Sequence, residues 1–124
     1  MTEPTHQDAQ VMLRCAELFN SMDLGKVSSW IFQDDFPVEH AAFLEQYPRT
    51  SKKHARFRNY LGYFETLGTL WKHGLFNEDL LLDWMLVPWD RIKDIVIGER
   101  EAAGVARLYE NFEALGDRQR ELSG

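Results

Sequence analysis

The chain has 124 residues, of which 44% are hydrophobic and 13% aromatic, and this composition favours a packed globular protein over a disordered one. Its formal net charge of −6 at pH 7 argues against a general nucleic-acid-binding protein, because phosphate backbones attract basic surfaces. The single cysteine, Cys15, cannot form an internal disulfide, and the first ten residues lack the basic and apolar segments of a signal peptide. We therefore expect one cytoplasmic helical domain over residues 1–124, with no membrane role and with disordered ends at 1–5 and 121–124.

The first helix is predicted over about residues 5–22, where apolar side chains recur every three or four positions and 23–25 supply the end. Residues 26–48 are less regular. We predict two short helices in them, one capped near Ser28 and one from Pro37 to Tyr47.

A helical hairpin is predicted over residues 56–87 and forms the centre of the fold. Its first helix is capped at Thr50 or Ser51, and Gly74 has the place of a left-handed residue that ends the helix. Asn77 is placed to cap the return helix, so the connection is short and the two helices should be antiparallel. The expected core comprises Phe57, Tyr60, Phe64, Leu67 and Trp71 of the first helix, together with Leu81, Trp84, Phe112 and Leu115.

Pro88 interrupts the return helix, because proline lacks a backbone N–H and clashes with the preceding turn, so we predict a kink or break near Val87. Gly98 is expected to end the continuation, and a last helix is expected from about Glu99 to Arg120. No segment shows the alternation of a β-strand. The sequence therefore predicts an all-α fold, an antiparallel helical bundle of about four main helices with short extra helices between the first and second.

Two segments, 63–68 and 111–116, share the pattern F-E-x-L-G, which is either an internal repeat or a chance similarity. Together with the segment HGLFNEDLLLDWM at 73–85, the proline-interrupted helix and RLYENFEALG at 107–116, they resemble a bacterial family of small all-helical proteins, a domain of unknown function. The resemblance covers residues 55–118 and implies a helical fold without a defined activity or catalytic residues. Some members of that family carry an N-terminal membrane segment, and this sequence shows none.

No metal site or cofactor is predicted. A di-iron bundle needs inward-facing Glu-x-x-His pairs, and the one such pair here is Glu3 and His6 at the terminus. His40, His54 and His73 lie in separate segments without metal-ligand spacing. The sequence also lacks a nucleophile elbow, a P-loop and a dinucleotide-binding glycine pattern, so no catalytic residue is predicted and enzymatic activity is the less favoured alternative.

Two carboxylates, Glu65 and Glu113, lie at the edge of the predicted buried face, because each follows a core phenylalanine. Arginines such as Arg100 and Arg107 could reach them. We interpret all four residues as buried ion-pair candidates that fix helix register, and a catalytic acid–base pair is the alternative.

The stretch 49–58, RTSKKHARFR, holds five of the 14 basic residues and no acid. Several of these cations fall in the first turns of a helix, where the helix dipole disfavours them and a bound phosphate-type anion would relieve the conflict. The alternatives are a solvated basic turn paired with the acidic surface, and weak nucleic-acid contact. The predicted anion-binding residues are Arg49, Ser51, Lys52, Lys53 and Arg56.

Trp84, Met85 and Trp89 flank the predicted break. Such a cluster is usually core, but part of it could line a groove for a partner helix. The leading hypothesis is therefore a non-enzymatic protein-interaction module, which includes a homo-oligomer. The second is a small-molecule or anion-binding domain, enzymatic or not, and the third is nucleic-acid contact through 49–58.

Overall fold

A computed structural model describes residues 3–123, and the predicted disorder at 1–2 and 124 lies outside the described residues. The described residues contain helices and no strands, which confirms the all-α class. The described residues form seven helices rather than about four: α1 (His6–Ser21), α2 (Leu24–Ile31), α3 (His40–Gln46), α4 (Lys52–Lys72), α5 (Glu78–Trp84), α6 (Trp89–Ala103) and α7 (Glu110–Ser123).

The ends of the described chain are helical or capped where the sequence suggested disorder. Thr5 caps α1 by accepting the N–H of Asp8 at 3.1 Å, while its own N–H donates to the Asp8 carboxylate at 2.8 Å. α7 continues through residues 121–123, and the Ser123 hydroxyl donates to the carbonyl of Gln119 at 2.9 Å. Reciprocal caps and local hydrogen bonds thus extend both terminal helices.

The two short helices begin at different residues from those predicted. α2 starts at Leu24, before the expected cap at Ser28, because its buried face already includes Leu24. α3 starts at His40, later than the expected Pro37, because the non-helical stretch before it carries Phe36 into the core. The buried face of α2 comprises Leu24, Val27 and Ile31, which recur at helical spacing.

The connection between α4 and α5 has the predicted capping. Gly74 has a φ of +72°, and the N–H of Leu75 donates to the carbonyl of Leu70 at 2.8 Å, as in a Schellman ending. Asn77 then caps α5, because its side chain accepts the N–H of Leu80 at 3.0 Å.

Pro88 separates α5 from α6, so the predicted break is present. Residues 85–88 are non-helical, and their backbone needs hydrogen-bond partners from elsewhere. Gln119 of α7 supplies them: it accepts the N–H of Val87 at 3.0 Å and donates to the Val87 carbonyl at 3.0 Å. One glutamine side chain therefore satisfies both backbone groups of Val87 at the break.

The predicted helix boundary at Gly98 is wrong. α6 runs through Gly98 and ends before Gly104, whose φ is +67°. A Cβ atom at Gly98 would overlap the side chain of His40, so this glycine allows α3 to approach α6 closely. The last helix consequently begins at Glu110 and not at Glu99.

α4 is the central helix, and it packs most extensively against α7. Trp89 at the start of α6 packs on Phe112, which stacks on Phe64 in the C-terminal half of α4. Glu99, near the end of α6, reaches His54 in the first turn of α4, so α6 runs opposite to α4. Of the predicted core, Trp71 and Trp84 are only partly buried, whereas the following are buried: Phe57, Tyr60, Phe64, Leu67, Leu81, Phe112 and Leu115.

Candidate functional site

A charged cluster lies inside the protein around Glu99, whose side chain is only 8% exposed. Arg49 binds both carboxylate oxygens, with Nη1 to Oε1 at 3.0 Å and Nη2 to Oε2 at 2.7 Å. His40 places Nε2 at 2.9 Å from Oε2, and the fully buried His54 places Nε2 at 3.4 Å from Oε1. We call these four residues the Glu99 cluster.

Four segments of the chain meet at the Glu99 cluster. His40 comes from α3, Arg49 from the α3–α4 connection, His54 from the first turn of α4, and Glu99 from α6. The Nδ1 atom of His54 lies 2.9 Å from the carbonyl oxygen of Tyr47, and because a carbonyl only accepts, Nδ1 carries a proton. The cluster therefore connects the start of α4 with α3 and α6.

The electrostatics of Glu99 favour its charged form. Burial raises the pKa of Glu99, but the hydrogen bonds and charges of Arg49 and His40 lower it by more, so the pKa lies below its ordinary value. Both oxygens of the carboxylate already have hydrogen-bond partners. A carboxylate held in this way is suited to fixing the positions of helices and poorly suited to accepting a proton from a substrate.

A small cavity of about 300 Å³ opens beside the cluster, between Arg49, Arg58 and Tyr109. Tyr109 has a φ of +61°, a conformation that few residues other than glycine adopt. Burial and the charge of Glu99 raise the pKa of Tyr109, so its hydroxyl stays protonated at neutral pH.

The predicted anion site at the start of α4 is divided by the structure. Arg49 is engaged by Glu99 and is not free for an anion, which corrects the expectation for this residue. Ser51 caps the helix as predicted, because its hydroxyl oxygen accepts the N–H of His54 at 3.2 Å. Lys52 is exposed and forms no ion pair with any described carboxylate.

Lys53 and Arg56, the other two predicted residues, face a cavity of about 460 Å³ between α2 and α4. We call it the α2–α4 pocket. No carboxylate within residues 3–123 forms an ion pair with either side chain. Other side chains that line the pocket are Met22, Asp23, Lys26, Val27, Trp30 and Asn59.

Two aromatic rings hold Lys53 in place at the pocket. Its Nζ lies 5.5 Å from the ring centroid of Trp30 and 5.7 Å from that of Tyr47. The indole N–H of Trp30 donates to the Tyr47 hydroxyl at 3.2 Å, and the two rings are perpendicular with centroids 4.9 Å apart. The rings fix the ammonium group without neutralising its charge.

Glu65 does not pair with an arginine, contrary to the prediction. Its Oε1 accepts the backbone N–H groups of Asn111 at 3.0 Å and Phe112 at 2.9 Å, and its Oε2 accepts the side-chain amide of Asn111 at 2.9 Å. These N–H groups belong to the first turn of α7, where they have no intrahelical partner. Glu65 thus caps α7 from α4, a role that the periodicity of one helix could not show.

Glu113 and Arg100 lie together, with Arg100 Nη2 at 2.9 Å from the carboxylate. Arg100 also donates from Nε to the carbonyl of Leu108 at 2.9 Å. Arg107 instead pairs with Glu110 one turn away, and its side chain is exposed, so its expected burial is wrong. Glu110 lies three residues from Arg107, and a carboxylate at this spacing can pair with a flexible arginine.

The three predicted groove residues also separate. Trp89 is buried against Phe112, with ring centroids 5.2 Å apart, and cannot line a groove. Trp84 stacks on Phe76 with centroids 6.1 Å apart and is partly buried. A shallow groove of about 440 Å³ does exist nearby, and its lining is half apolar and half polar: Leu82, Met85, Leu86 and Leu122 together with Asp83, Gln119 and Ser123.

The sequence did not predict the Glu99 cluster, although the position of His54 on α4 indicated a buried polar residue. His54 continues the spacing of Phe57 and Leu61 on the buried face of α4, and a polar residue on such a face needs a partner. Nothing local pointed to Glu99 or His40 as that partner.

The fold and these sites together define a small all-helical protein with a charged cluster in its interior and a cationic pocket on its surface. The chain belongs to a family of domains of unknown function, DUF4760, whose family model matches residues 6–119. This match confirms the resemblance seen over 55–118 and extends it to α1–α3. No curated protein and no solved structure matches the chain.

Two further observations concern residues 3–123 alone. None of their helices combines the length and apolar character needed to cross a lipid bilayer. Among their His, Cys, Asp and Glu side chains, no group of three or more is arranged to hold a metal ion.

Proposed function

We propose that this protein is a non-enzymatic binding module that recognises a small organic anion in the α2–α4 pocket. The observation that carries this proposal is the pair Lys53 and Arg56. Both face one cavity of about 460 Å³, and neither forms an ion pair with a described carboxylate. In a protein with 20 acidic residues and a net charge of −6, two neighbouring cations free of such pairs favour a ligand of opposite charge.

The pocket has the properties of a small-molecule site. Its volume falls within the range of roughly 300–1,000 Å³ that such sites occupy, and its wall combines apolar with cationic side chains. Lys53 is already positioned by Trp30 and Tyr47, so a ligand would not have to order it. The proposed site lies on the α2 side of α4, and neither Arg49 nor Ser51 lines it.

The binding proposal does not involve the Glu99 cluster. Arg49 and His40 occupy the carboxylate oxygens, which supports a structural role and a protein without catalysis.

An NMR titration with inorganic phosphate at low salt tests the function. We expect amide shifts in α2 and around Lys53 and Arg56, which weaken with added salt because exposed charges are screened over about 8–10 Å. Lys53→Gln and Arg56→Gln should reduce the shifts. Lys52→Gln is the matched control, because Lys52 is exposed at the same helix end and does not line the pocket. Shifts scattered over all basic residues would contradict the proposal.

A protein-interaction module is the second candidate function. Its support is the exposed apolar surface in the groove near the C-terminus, where Leu86 is 68% exposed beside Met85 and Leu122. A self-association or partner that uses this groove should be weakened by Leu86→Ser. Native mass measurement of the wild type and the variant tests for a homo-oligomer.

Nucleic-acid contact through 49–58 is the third candidate and has less support. Arg49 is held by Glu99, which leaves fewer cations for a phosphate backbone. Strongly salt-dependent binding of RNA or DNA would favour it.

The finer description of the fold is also a proposal. We infer that the four longest helices, α1, α4, α6 and α7, are the main members of an antiparallel bundle in a single domain, with α2 and α3 as the short extra helices. The opposite directions of α4 and α6 support this arrangement. We also propose a cytoplasmic location, which the single free cysteine supports: burial raises the pKa of Cys15, which keeps its thiol unreactive.

A further inference from the structure

The residues that line the α2–α4 pocket indicate the chemical class of its ligand as well as the sign of the ligand's charge. We propose that it binds a phosphate monoester with a small aromatic or aliphatic body, rather than inorganic phosphate or a simple carboxylate. This inference rests on the anion-binding function proposed above, and it names the class of ligand.

The charge of the pocket indicates a dianion. Three cationic side chains, Lys26, Lys53 and Arg56, line it together with one carboxylate, that of Asp23. Asp23 lies 3.8 Å from Lys26, so the one acid is best placed to offset that lysine. Lys53 and Arg56 remain, and a phosphate monoester carries about −1.5 to −2 charges near pH 7 whereas a carboxylate carries one.

The spacing of these two cations suits one phosphate group. Lys53 and Arg56 are three residues apart on α4, so they are neighbours on the same face of the helix. Arginine can present two parallel N–H donors to phosphate oxygens, and lysine adds a point charge. The ammonium of Lys53 is held by the rings of Trp30 and Tyr47, which fixes the phosphate end of the pocket.

The size and the wall of the pocket indicate an organic body on the ligand. A cavity of about 460 Å³ is several times larger than a phosphate group. The apolar surface that a ligand could cover comes from the half-buried ring of Trp30 on α2 and from the exposed Met22 at the α1–α2 corner. Lys26 on α2 also lines the pocket, whereas the lining residues Leu24 and Val27 are buried. Inorganic phosphate would leave this wall in contact with water, whereas a hydrocarbon or ring would cover it and gain hydrophobic free energy.

Calorimetric titration of the full chain at low salt tests the inference with four probes: phenyl phosphate, inorganic phosphate, benzoate and phenol. We expect phenyl phosphate to bind at least about tenfold more tightly than each of the others, because only it offers both the dianion and the ring. Lys53→Gln and Arg56→Gln should each weaken phenyl phosphate by about tenfold or more, which is the loss of one charge-assisted hydrogen bond. Lys52→Gln should leave its affinity unchanged.

A further variant separates the body of the ligand from its phosphate. Met22 is exposed and lines the pocket, so Met22→Ser should weaken phenyl phosphate and leave inorganic phosphate unaffected, without disturbing the core. Circular dichroism and thermal unfolding of each variant establish that the fold is intact.

The outcomes distinguish this inference from the function on which it rests. If inorganic phosphate or benzoate binds as tightly as phenyl phosphate and Lys53→Gln weakens it, the ligand class is wrong and the anion-binding function stands. If no anion binds, or if Lys53→Gln and Lys52→Gln behave alike, both proposals are overturned.

Discussion

Glu65 on α4 accepts the backbone N–H of Phe112 at 2.9 Å, so a side chain of one helix caps another helix 47 residues later in the chain. The same carboxylate oxygen accepts the N–H of Asn111 at 3.0 Å. The first N–H groups of a helix have no partner within it, and negative charge is favoured there by the helix dipole. This cap therefore couples the start of α7 to the middle of α4.

Glu65→Ala should lower the free energy of unfolding by about 1–3 kcal/mol, because it leaves the N–H groups of Asn111 and Phe112 without an acceptor. Urea unfolding of both proteins measures the difference. Thr66→Ala is the matched control, since Thr66 is exposed and its hydroxyl bonds only back to the Gly62 carbonyl of the same helix. Equal effects of the two substitutions would argue against the cap.

Two glycines of α4 should respond in opposite directions to alanine. A Cβ atom at Gly68 would overlap the backbone carbonyl of Asn111, so Gly68→Ala should destabilise the protein by separating α4 from α7. Gly62 has open space around it, so Gly62→Ala should stabilise the protein by about 0.5–1 kcal/mol through helix propensity. Thermal unfolding of both variants checks the pair, and a stabilised Gly68→Ala would contradict the close approach.

Phe64 lies at the centre of the core, with its ring 5.4 Å from that of Phe112 and 5.0 Å from that of Tyr60. Phe64→Ala should cost about 3–5 kcal/mol in the free energy of unfolding. Leu86→Ala should cost little, because Leu86 is largely exposed. A change below about 1 kcal/mol for Phe64→Ala in denaturant unfolding would remove this residue from the core.

The features that the sequence predicted well are those whose causes lie within a few residues. The left-handed Gly74, the cap at Asn77 and the break at Pro88 each follow from the conformational limits of one residue type. Core positions on α4 followed from the helical spacing of its aromatic residues.

The features that it predicted poorly depend on contacts between distant residues. The local sequence predicts a helix end at Gly98, but the side chain of His40 packs against this glycine, which no local pattern reveals. Arg49 was assigned to an anion site because Glu99, 50 positions away, gave no sign of being its partner. The residues of the proposed anion site were predictable in part, since the charge run that contains Lys53 also forms the edge of the α2–α4 pocket.

The two F-E-x-L-G segments show how the same letters lead to different contacts. Gly68 and Gly116 are both buried at close approaches, the second against Trp89, and the helix continues past each of them. Their glutamates differ, since Glu65 caps a helix and Glu113 lies beside Arg100. The pattern predicts helix packing better than it predicts polar partners.

The pH dependence of stability should reveal the Glu99 cluster. Burial raises the pKa of Glu99, but hydrogen bonds and charges from Arg49 and His40 lower it by more, so the folded-state pKa lies below the unfolded one. The charged carboxylate therefore contributes stability above its ordinary pKa of about 4.3, and this contribution is lost as the pH falls through the lowered value. At neutral pH, Glu99→Gln should cost about 1–3 kcal/mol, because Arg49 and His40 lose a charged partner.

The measurement is urea unfolding of the wild type and Glu99→Gln from pH 7 down to the acid limit of the fold. The difference between the two should shrink as the pH falls, because the wild type loses a contribution that the variant never had. Asp90→Asn is the control: Asp90 also pairs with an arginine, Arg120, but the pair is exposed and screened, so its removal should change the profile little. A constant difference between wild type and Glu99→Gln at every pH would show that the variant acts through packing and not through the charge of Glu99.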